Sequence, residues 1–309
     1  MMAKKKIIID TDVGCDDAVA ILFALKHPSA EILALTSVYG NVPLAQATEN
    51  VGTILRLFNR ESIPFYVGKP CDRDTSRIWS FPLGEAHMRK VEKLPPTSSE
   101  HASNAIVRLV NANPGVSEVN LVCLGPLTNI ALALKLDPSI AAKIKSITVM
   151  GGSLRGRGNL SASAEFNFHM DPEAVHIVLA RFTSEQLLLI DWDVTEDNPL
   201  SWQKFYQMVQ PATPEARFMR NVTQKWAPDE SKVGQTEPLD VNEHIHLAVP
   251  LPTDEKATAA HDAVEHTKVG QKKRKHDASD TSDGGEARSG TDAKKTRPED
   301  AAAAQRARM

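Results

Sequence analysis

The sequence predicts an open α/β fold, a mainly parallel sheet with helices on both faces. Three observations carry the prediction. From residue 7 to about residue 195, short apolar runs alternate with helix-like segments. The short runs are almost continuously apolar, as expected of strands buried on both sides. The helical segments stop at breakers such as Asn113-Pro114-Gly115 and Asp137-Pro138. Such alternation is the mark of strands joined by helical crossovers.

The elements follow in order. Ile7–Ile9 reads as a strand and Ala18–Lys26 as a helix. Glu31–Tyr39 is a second strand, with Ile32, Leu33, Leu35 and Val38 apolar. Ala45–Phe58 is a helix and Phe65–Val67 a short strand. Ala102–Ala112 is a helix, Val119–Leu124 a strand, and Thr128–Leu136 a helix. Ile147–Met150 is a strand that runs into Gly151-Gly152. Pro172–Ala180 is a helix with Pro172 in its first turn, and Leu187–Ile190 is the last strand. Two more helices are expected, Trp202–Val209 and Glu215–Trp226. In these, Trp202, Phe205, Tyr206, Phe218 and Trp226 fall at helical spacings that suit a core.

The chain has 309 residues, 41% hydrophobic and 24% charged, with a formal net charge of −3. That composition suits a soluble globular protein of one large or two smaller α/β domains. No apolar run is long enough to span a membrane. The basic start, Met1 to Lys6, leads only into a short strand, so no secretory signal is expected. Cys15, Cys71 and Cys123 form no metal-binding spacing. So few cysteines suit a reducing, cytoplasmic compartment rather than a disulfide framework.

From Lys268 to Met309 the chain carries 11 Lys/Arg against 7 Asp/Glu, a net of +4, and Val269 is its one Val, with no Ile, Leu, Phe, Trp or Tyr. Such a segment cannot bury enough surface to offset its ordering entropy, so residues 268–309 are expected to be a disordered basic tail. Its clusters, Lys272-Lys273-Arg274-Lys275 and Lys294-Lys295-Thr296-Arg297, fit a two-part nuclear import signal, a weak nucleic-acid contact, or a solvated tail with no address. No other nucleic-acid contact is expected.

Chemistry concentrates in the turn after the first strand, Asp10-Thr11-Asp12-Val13-Gly14-Cys15-Asp16-Asp17. Four carboxylates in eight residues repel one another unless a cation holds them. Hard divalent ions such as Mg²⁺ or Ca²⁺ take oxygen ligands. In open parallel sheets, ligands bind beyond the carboxyl ends of the strands. The plainer alternative is a solvated turn whose Asp16 and Asp17 cap the next helix. Polar loops follow other strands too: Tyr39-Gly40-Asn41, Leu124-Gly125-Pro126-Leu127-Thr128-Asn129, Met150-Gly151-Gly152 and Asp191-Trp192-Asp193-Val194-Thr195. Parallel strands would bring all of these loops to one sheet edge. The segment from Asn159 to Pro172 adds Asn159, Glu165 and Asn167, whose mixed donors and acceptors suit neighbouring sugar hydroxyls. Turn and capping chemistry explains Asp171 with Pro172 better than it explains Glu165 and Asn167.

In this order, the motifs resemble those of the nucleoside hydrolases, the inosine/uridine-preferring N-ribohydrolases. The likeness begins at Asp10 to Ala18 and continues through Val38-Tyr39-Gly40-Asn41 and Leu124 to Ala131. It extends through Met150-Gly151-Gly152, Asn159, Ala164-Glu165-Phe166-Asn167 with Asp171 to Ala174, and Asp193-Val194-Thr195. It covers residues 7 to about 200. The resemblance implies a nucleoside-hydrolase-like domain over residues 5–265 that binds one Ca²⁺ in a pocket and acts on a small-molecule nucleoside as a dimer or tetramer. It implies Ca²⁺-dependent hydrolysis of the N-glycosidic bond of ribonucleosides to free base and ribose. By the same carry-over, Asp12 and Asp17 ligate the metal through carboxylate oxygens and Leu124 through its backbone carbonyl. Asp12 is also the general base for a metal-bound water. Asp16, Asn41 and Asn167 hold the metal and the 2′- and 3′-hydroxyls, Asn159 and Glu165 bind the 5′-hydroxyl side, and Asp10 orients the loop from behind.

The chain departs from the family's pattern after about residue 230, where the C-terminal lobe is incomplete or divergent. The remaining acidic metal ligand, expected after a His, has two candidates: Asp262, preceded by His261, and Asp240. Residues 72–87 also depart, although Trp79 or Phe81 could stack on a base. Two rival functions remain at this level: a catalytically impaired family member that binds ligands or partners, and a phosphatase using Asp10 as nucleophile and Asp12 as acid.

Overall fold

The computed structural model describes residues 4–70, 92–113 and 118–223, all within one compact unit, Met1–Pro252. Its centre is a six-stranded sheet of β1 (Lys5–Thr11), β2 (Ala30–Ser37), β3 (Phe65–Val67), β4 (Val119–Cys123), β5 (Ile144–Met150) and β6 (Leu187–Ile190). The order is β3-β2-β1-β4-β5-β6, and every neighbouring pair is parallel. The chain builds outward from β1 to one edge, then restarts at β4 and builds to the other. The β1/β4 junction is therefore the switch point, where open sheets of this kind bind ligands.

Ten described helices connect or follow the strands: α1 (Cys15–Lys26), α2 (Leu44–Leu57), α3 (Ala102–Asn111), α4 (Thr128–Leu136), α5 (Ile140–Lys143), α6 (Phe166–Met170), α7 (Pro172–Leu179), α8 (Trp192–Asp197), α9 (Trp202–Val209) and α10 (Pro214–Thr223). One core layer joins β1 and β2 to Ile21 and Leu25 of α1, Val51 and Leu55 of α2, Phe205 of α9 and Phe218 of α10. The other joins β4 and β5 to Ile106 of α3, Ile130 and Leu134 of α4, Ile140 of α5 and Val178 of α7. Helices cover both faces of the central strands, so these can be apolar throughout, whereas Leu188 in the edge strand β6 is exposed.

The differences from the sequence reading have physical causes. β1 starts at Lys5, before its apolar run, because Lys5 pairs with Ala30 in the ladder and Lys6 reaches Glu118 at 2.6 Å. Asp191 to Thr195, expected as a loop, is mostly the helix α8. The short helices α5, α6 and α8 hold too few residues to show an apolar period; α6 and α8 instead start at acidic caps, Glu165 and Asp191. Trp202, Phe205 and Phe218 are core residues as expected. Among the described residues, no helix is long and apolar enough to cross a membrane. Trp79, Phe81, Trp226, Asp240, His261, Asp262 and the segment from 268 to 309 lie outside the described residues.

Candidate active site

The acidic turn sits at the carboxyl end of β1, against the switch point. Asp10 is the one carboxylate of β1 and is buried. Its Oδ1 accepts from Thr36 Oγ1 at 2.5 Å and from Asn129 Nδ2 at 2.8 Å. The Asn129 amide also donates to the Ser37 carbonyl at 3.0 Å and accepts the Lys69 N–H at 3.1 Å. One side chain at the start of α4 therefore ties together the ends of β1 and β2 and the loop after β3.

Thr11 organises the next step. Its Oγ1 donates to Asp17 Oδ2 at 2.6 Å and accepts the Val13 N–H at 3.0 Å. Val13 sits at φ 46°, a left-handed conformation that a β-branched residue rarely adopts. Such strain collects where the chain must present side chains in one fixed direction. Here it lets a turn of a few residues aim both Asp12 and Asp17 inward. The Asp12 Oδ2 atom accepts the Asn41 N–H at 2.5 Å. A Cβ on Gly40 would stand 1.9 Å from that oxygen, so only glycine allows this approach.

Asp12 Oδ1 and Asp17 Oδ1 are buried with no hydrogen-bond partner. Buried acceptors without partners are costly and rare, and a bound ion is one arrangement that satisfies them. Burial pushes the Asp12 carboxyl up to about 6. Burial, then the Asp17 charge, pushes Asp16 up to about 7. Burial, followed by the Asp12 charge, also raises Asp17 well above the usual carboxylate range.

The far wall comes from β4, β5 and α6. Asn167 donates from Nδ2 to the carbonyls of Leu124, at 2.8 Å, and Met150, at 3.1 Å. Two carbonyl acceptors fix the amide's orientation, since a flip would set oxygen against oxygen. Asn167 Oδ1 is left buried and unpartnered. Glu165 caps α6, accepting the N–H groups of Asn167, Phe168 and Gly152 at 2.9, 3.0 and 2.9 Å. The sequence reading gave capping little weight for Glu165; the structure corrects it, because both carboxylate oxygens are held by backbone amides. Burial nevertheless outweighs these bonds and raises the Glu165 pKa. Gly152, at φ 81°, lies where a Cβ would meet the Phe168 ring at 2.8 Å. Asn159 Oδ1 accepts the Phe166 N–H at 2.8 Å.

A further acidic pair braces this wall. Asp191 caps α8 through the Val194 N–H and also takes the Leu154 N–H at 2.8 Å. Asp193 Oδ2 accepts the Arg155 N–H at 2.8 Å and the Ser153 hydroxyl at 3.1 Å. The Arg155 amide is the main cause holding the Asp193 carboxyl below its usual range. Arg155 also pairs with Asp197. The loop from Gly152 to Arg155 is thus bound to α8, and through Gly152 to Glu165.

A cavity of about 340 Å³ opens between these walls, a size suited to a small ligand. Asp16, Asn41, Asn159, Glu165 and Asn167 all line it. Asp12 and Leu124 lie one hydrogen bond behind it, through Asn41 and Asn167. Asp10 is buried, with its Oδ1 held by Thr36 and Asn129, the position of a residue that supports the turn from behind. Asn129, Asp191 and Asp193 were quoted in the sequence motifs but given no role there. Their partners lie far away in sequence, 119 residues in the case of Asn129 and Asp10, so spacing could not reveal them.

The oxygen set formed by Asp12, Asp17 and the Leu124 carbonyl fits a hard cation, and the unpartnered oxygens on Asp12 and Asp17, two of four such carboxylate oxygens among the described residues, support the fit. The set is partial: among the described residues, no group of three or more His, Cys, Asp or Glu side chains converges on one point.

Comparison with known proteins points in one direction. The profile of a family described as inosine-uridine preferring nucleoside hydrolase matches residues 7–303. A probable uridine nucleosidase 1 of Oryza sativa subsp. japonica is 40% identical over 186 residues, which cover 59% of this chain and 56% of that protein. The inosine-uridine preferring nucleoside hydrolase of Crithidia fasciculata is 36% identical over 225 residues, covering 71% and 70%. A solved plant nucleoside hydrolase superposes with a TM-score of 0.68 at 31% identity, covering 79% and 75%. The chain spans little more than half the length of the rice relative.

Proposed function

The chain belongs to the inosine-uridine preferring nucleoside hydrolase family, and from that premise we propose that it hydrolyses the N-glycosidic bond of ribonucleosides to free base and ribose with the help of Ca²⁺. The observation that carries the proposal is the pair of buried oxygens without hydrogen-bond partners on Asp12, which holds the cavity-lining Asn41, and on Asp17, next in sequence to the cavity-lining Asp16.

Asp12, Asp17 and the Leu124 carbonyl would hold the ion. A bound divalent cation lowers the pKa of water and so supplies a nucleophile near neutral pH. Asp12 acts as general base, taking the proton of the attacking water at its carboxylate. Asp16 and Asn167 Oδ1 accept hydrogen bonds from the 2′- and 3′-hydroxyls, with the Asn41 side chain beside them. Asn159 and Glu165 face the 5′ side. As the glycosidic bond breaks, the ribosyl ring gains positive charge, and the surrounding carboxylates stabilise it. Contacts to the 2′-hydroxyl strengthen in such a transition state. Attack from the face opposite the base inverts the anomeric centre.

Ribose release from inosine, uridine and adenosine, with and without a chelator, tests this reading. A second reading, a family member that binds nucleosides without turning them over, is motivated by the departure of the sequence from the family's pattern after about residue 230. Calorimetric titration separates the two: failure to bind Ca²⁺ at millimolar concentration supports the second.

A further inference from the structure

Three residues of the sequence motifs take no part in the proposed chemistry: Tyr39, Thr128 and Asp171. None of them lines the cavity. Yet each stands close in sequence to a residue that serves the substrate or the cation. Tyr39 precedes Asn41 by two positions, Thr128 follows Leu124 by four, and Asp171 follows Asn167 by four. The structure joins them at one place, the junction of α6 and α7. Tyr39, 6% exposed, donates its hydroxyl to the Met170 carbonyl at 3.2 Å. Thr128 donates its hydroxyl to Asp171 Oδ2 at 2.6 Å. The two hydroxyl oxygens lie 3.4 Å apart. Thr128 has one hydroxyl proton, and the nearer, charged acceptor takes it. The Tyr39 proton is left for Met170. Asp171 Oδ1 accepts the Ala174 N–H at 3.0 Å, so both of its oxygens are engaged.

The result is a double clasp. One hydroxyl comes from the loop after β2 and the other from the start of α4, and they hold two consecutive residues. Packing does not require the Tyr39 hydroxyl. Val38, Tyr39 and Met170 form a small buried cluster with Leu44 and Phe166 against it, and a Phe ring would fill the same space. A buried hydrogen bond adds little net stability, but it has direction where packing has only volume. The turn after Tyr39 is tight, because the Gly40 N–H donates to the Val42 carbonyl at 3.3 Å. A shift of Tyr39 is therefore passed on to Asn41. At the other end, Met170 stands three residues beyond Asn167, about one turn along the same short helix.

We infer that Tyr39 is a positioning residue which, with the Thr128–Asp171 link beside it, fixes the spacing of Asn41 and Asn167 across the ribose diol and so sets the preference for ribonucleosides over their deoxy forms. The inference rests on the assignment of Asp16, Asn41 and Asn167 to the diol in the proposed function. Contacts to the 2′-hydroxyl strengthen in the transition state, so a misplaced partner is read in the turnover of substrates that carry the hydroxyl. A substrate that lacks it has no such contact to lose.

The test uses the full chain with Ca²⁺ and matched substrates on inosine, uridine or adenosine: the parent, its 2′-deoxy form and its 3′-deoxy form. Base release gives kcat/KM for the wild type, Tyr39→Phe, Thr128→Val and Thr128→Ser. Tyr39→Phe and Thr128→Val are expected to lower the parent-to-deoxy ratio of kcat/KM by about tenfold, inside the roughly 10²-fold loss that a 1 Å misplacement brings. The parent should carry that loss while the deoxy substrates change little. Thr128→Ser keeps a hydroxyl and should keep the ratio. In the metal-free protein, Tyr39→Phe should also speed hydrogen exchange at the Asn41 amide, which is bonded to Asp12. General destabilisation lowers all three substrates alike, so an unchanged ratio in a folded Tyr39→Phe protein overturns the inference. Unchanged exchange at Asn41 overturns it too, as does a wild type that does not favour the parent over either deoxy form. If Tyr39→Phe does not fold, the ratio in Thr128→Val decides in the same way. If the wild type hydrolyses no parent nucleoside, the proposed function fails, and this inference with it.

Discussion

Asp12 accepts the backbone N–H of Asn41 at 2.5 Å, so the loop after β2 rests on the acidic turn after β1. The contact needs Gly40, because any Cβ there would overlap the same carboxylate. Gly40→Ala is therefore expected to push Asp12 aside. Overpacking of this kind costs about 1–3 kcal/mol. Urea denaturation should show that loss, and metal affinity should fall with it. An unchanged unfolding midpoint together with unchanged Ca²⁺ binding would show that the turn does not depend on this approach.

Asn129 supplies the other brace. Replacing it with Ala removes the donors to Asp10 and Ser37 and the acceptor for Lys69. A buried polar group left unpaired costs about 1–3 kcal/mol. Asn129→Ala should thus lower the thermal midpoint, and Asn129→Asp should not rescue it, since a carboxylate next to Asp10 offers no donor. A rescue by Asp would mean that the Lys69 contact alone matters.

The acidic turn is expected to make the metal-free protein less stable towards alkali than towards acid. Burial raises Asp10 and Asp12 to about 6 and Asp16 to about 7, against 3.8 for the free side chain. Between about pH 4 and pH 7 the folded state therefore binds more protons than the unfolded chain, and stability falls as pH rises. Thermal melts in a chelator should show a midpoint that drops across this window. Ca²⁺ should restore it most at the upper end, where the carboxylates are ionised and free to bind. A chelated protein whose midpoint climbs from pH 4 to pH 7 would contradict the raised pKa of these carboxyls.

Asp191 and Asp193 hold the loop that carries the Leu154 and Arg155 amides. Asp191→Ala removes the α8 cap as well, an effect of about 1 kcal/mol. Hydrogen exchange should show faster exchange at Leu154 in Asp191→Ala and at Arg155 in Asp193→Ala, with the α3 amides unaffected. Equal acceleration throughout the domain would point to general destabilisation instead of local release.

Much of this was legible from residue order. The turn from Asp10 to Asp17 lies between an apolar run and a helical one, so its place at a strand's carboxyl end followed from pattern alone. The gathering of Asn41, Leu124, Gly151 and Asp191 followed once the strands were read as parallel. The double use of Glu165 did not: Glu is not among the favoured cap residues, and α6 is too short for periodicity. Nor could the sequence reveal that Leu124 is held by Asn167, or that Asn129 reaches the ends of β1 and β2 and the loop after β3. These depend on how a parallel sheet folds distant loops onto one edge.

The most direct test of the central claim is ribose release from inosine, uridine and adenosine by the full chain in Ca²⁺, measured alongside Asp12→Asn and a chelated sample. The native protein should release ribose from at least one substrate. Chelation should abolish release, and Asp12→Asn should lower it by roughly 10²–10⁴-fold while retaining a native circular dichroism spectrum. An Asp12→Asn protein that keeps most of its hydrolase activity, or a wild-type activity indifferent to the chelator, would contradict the account.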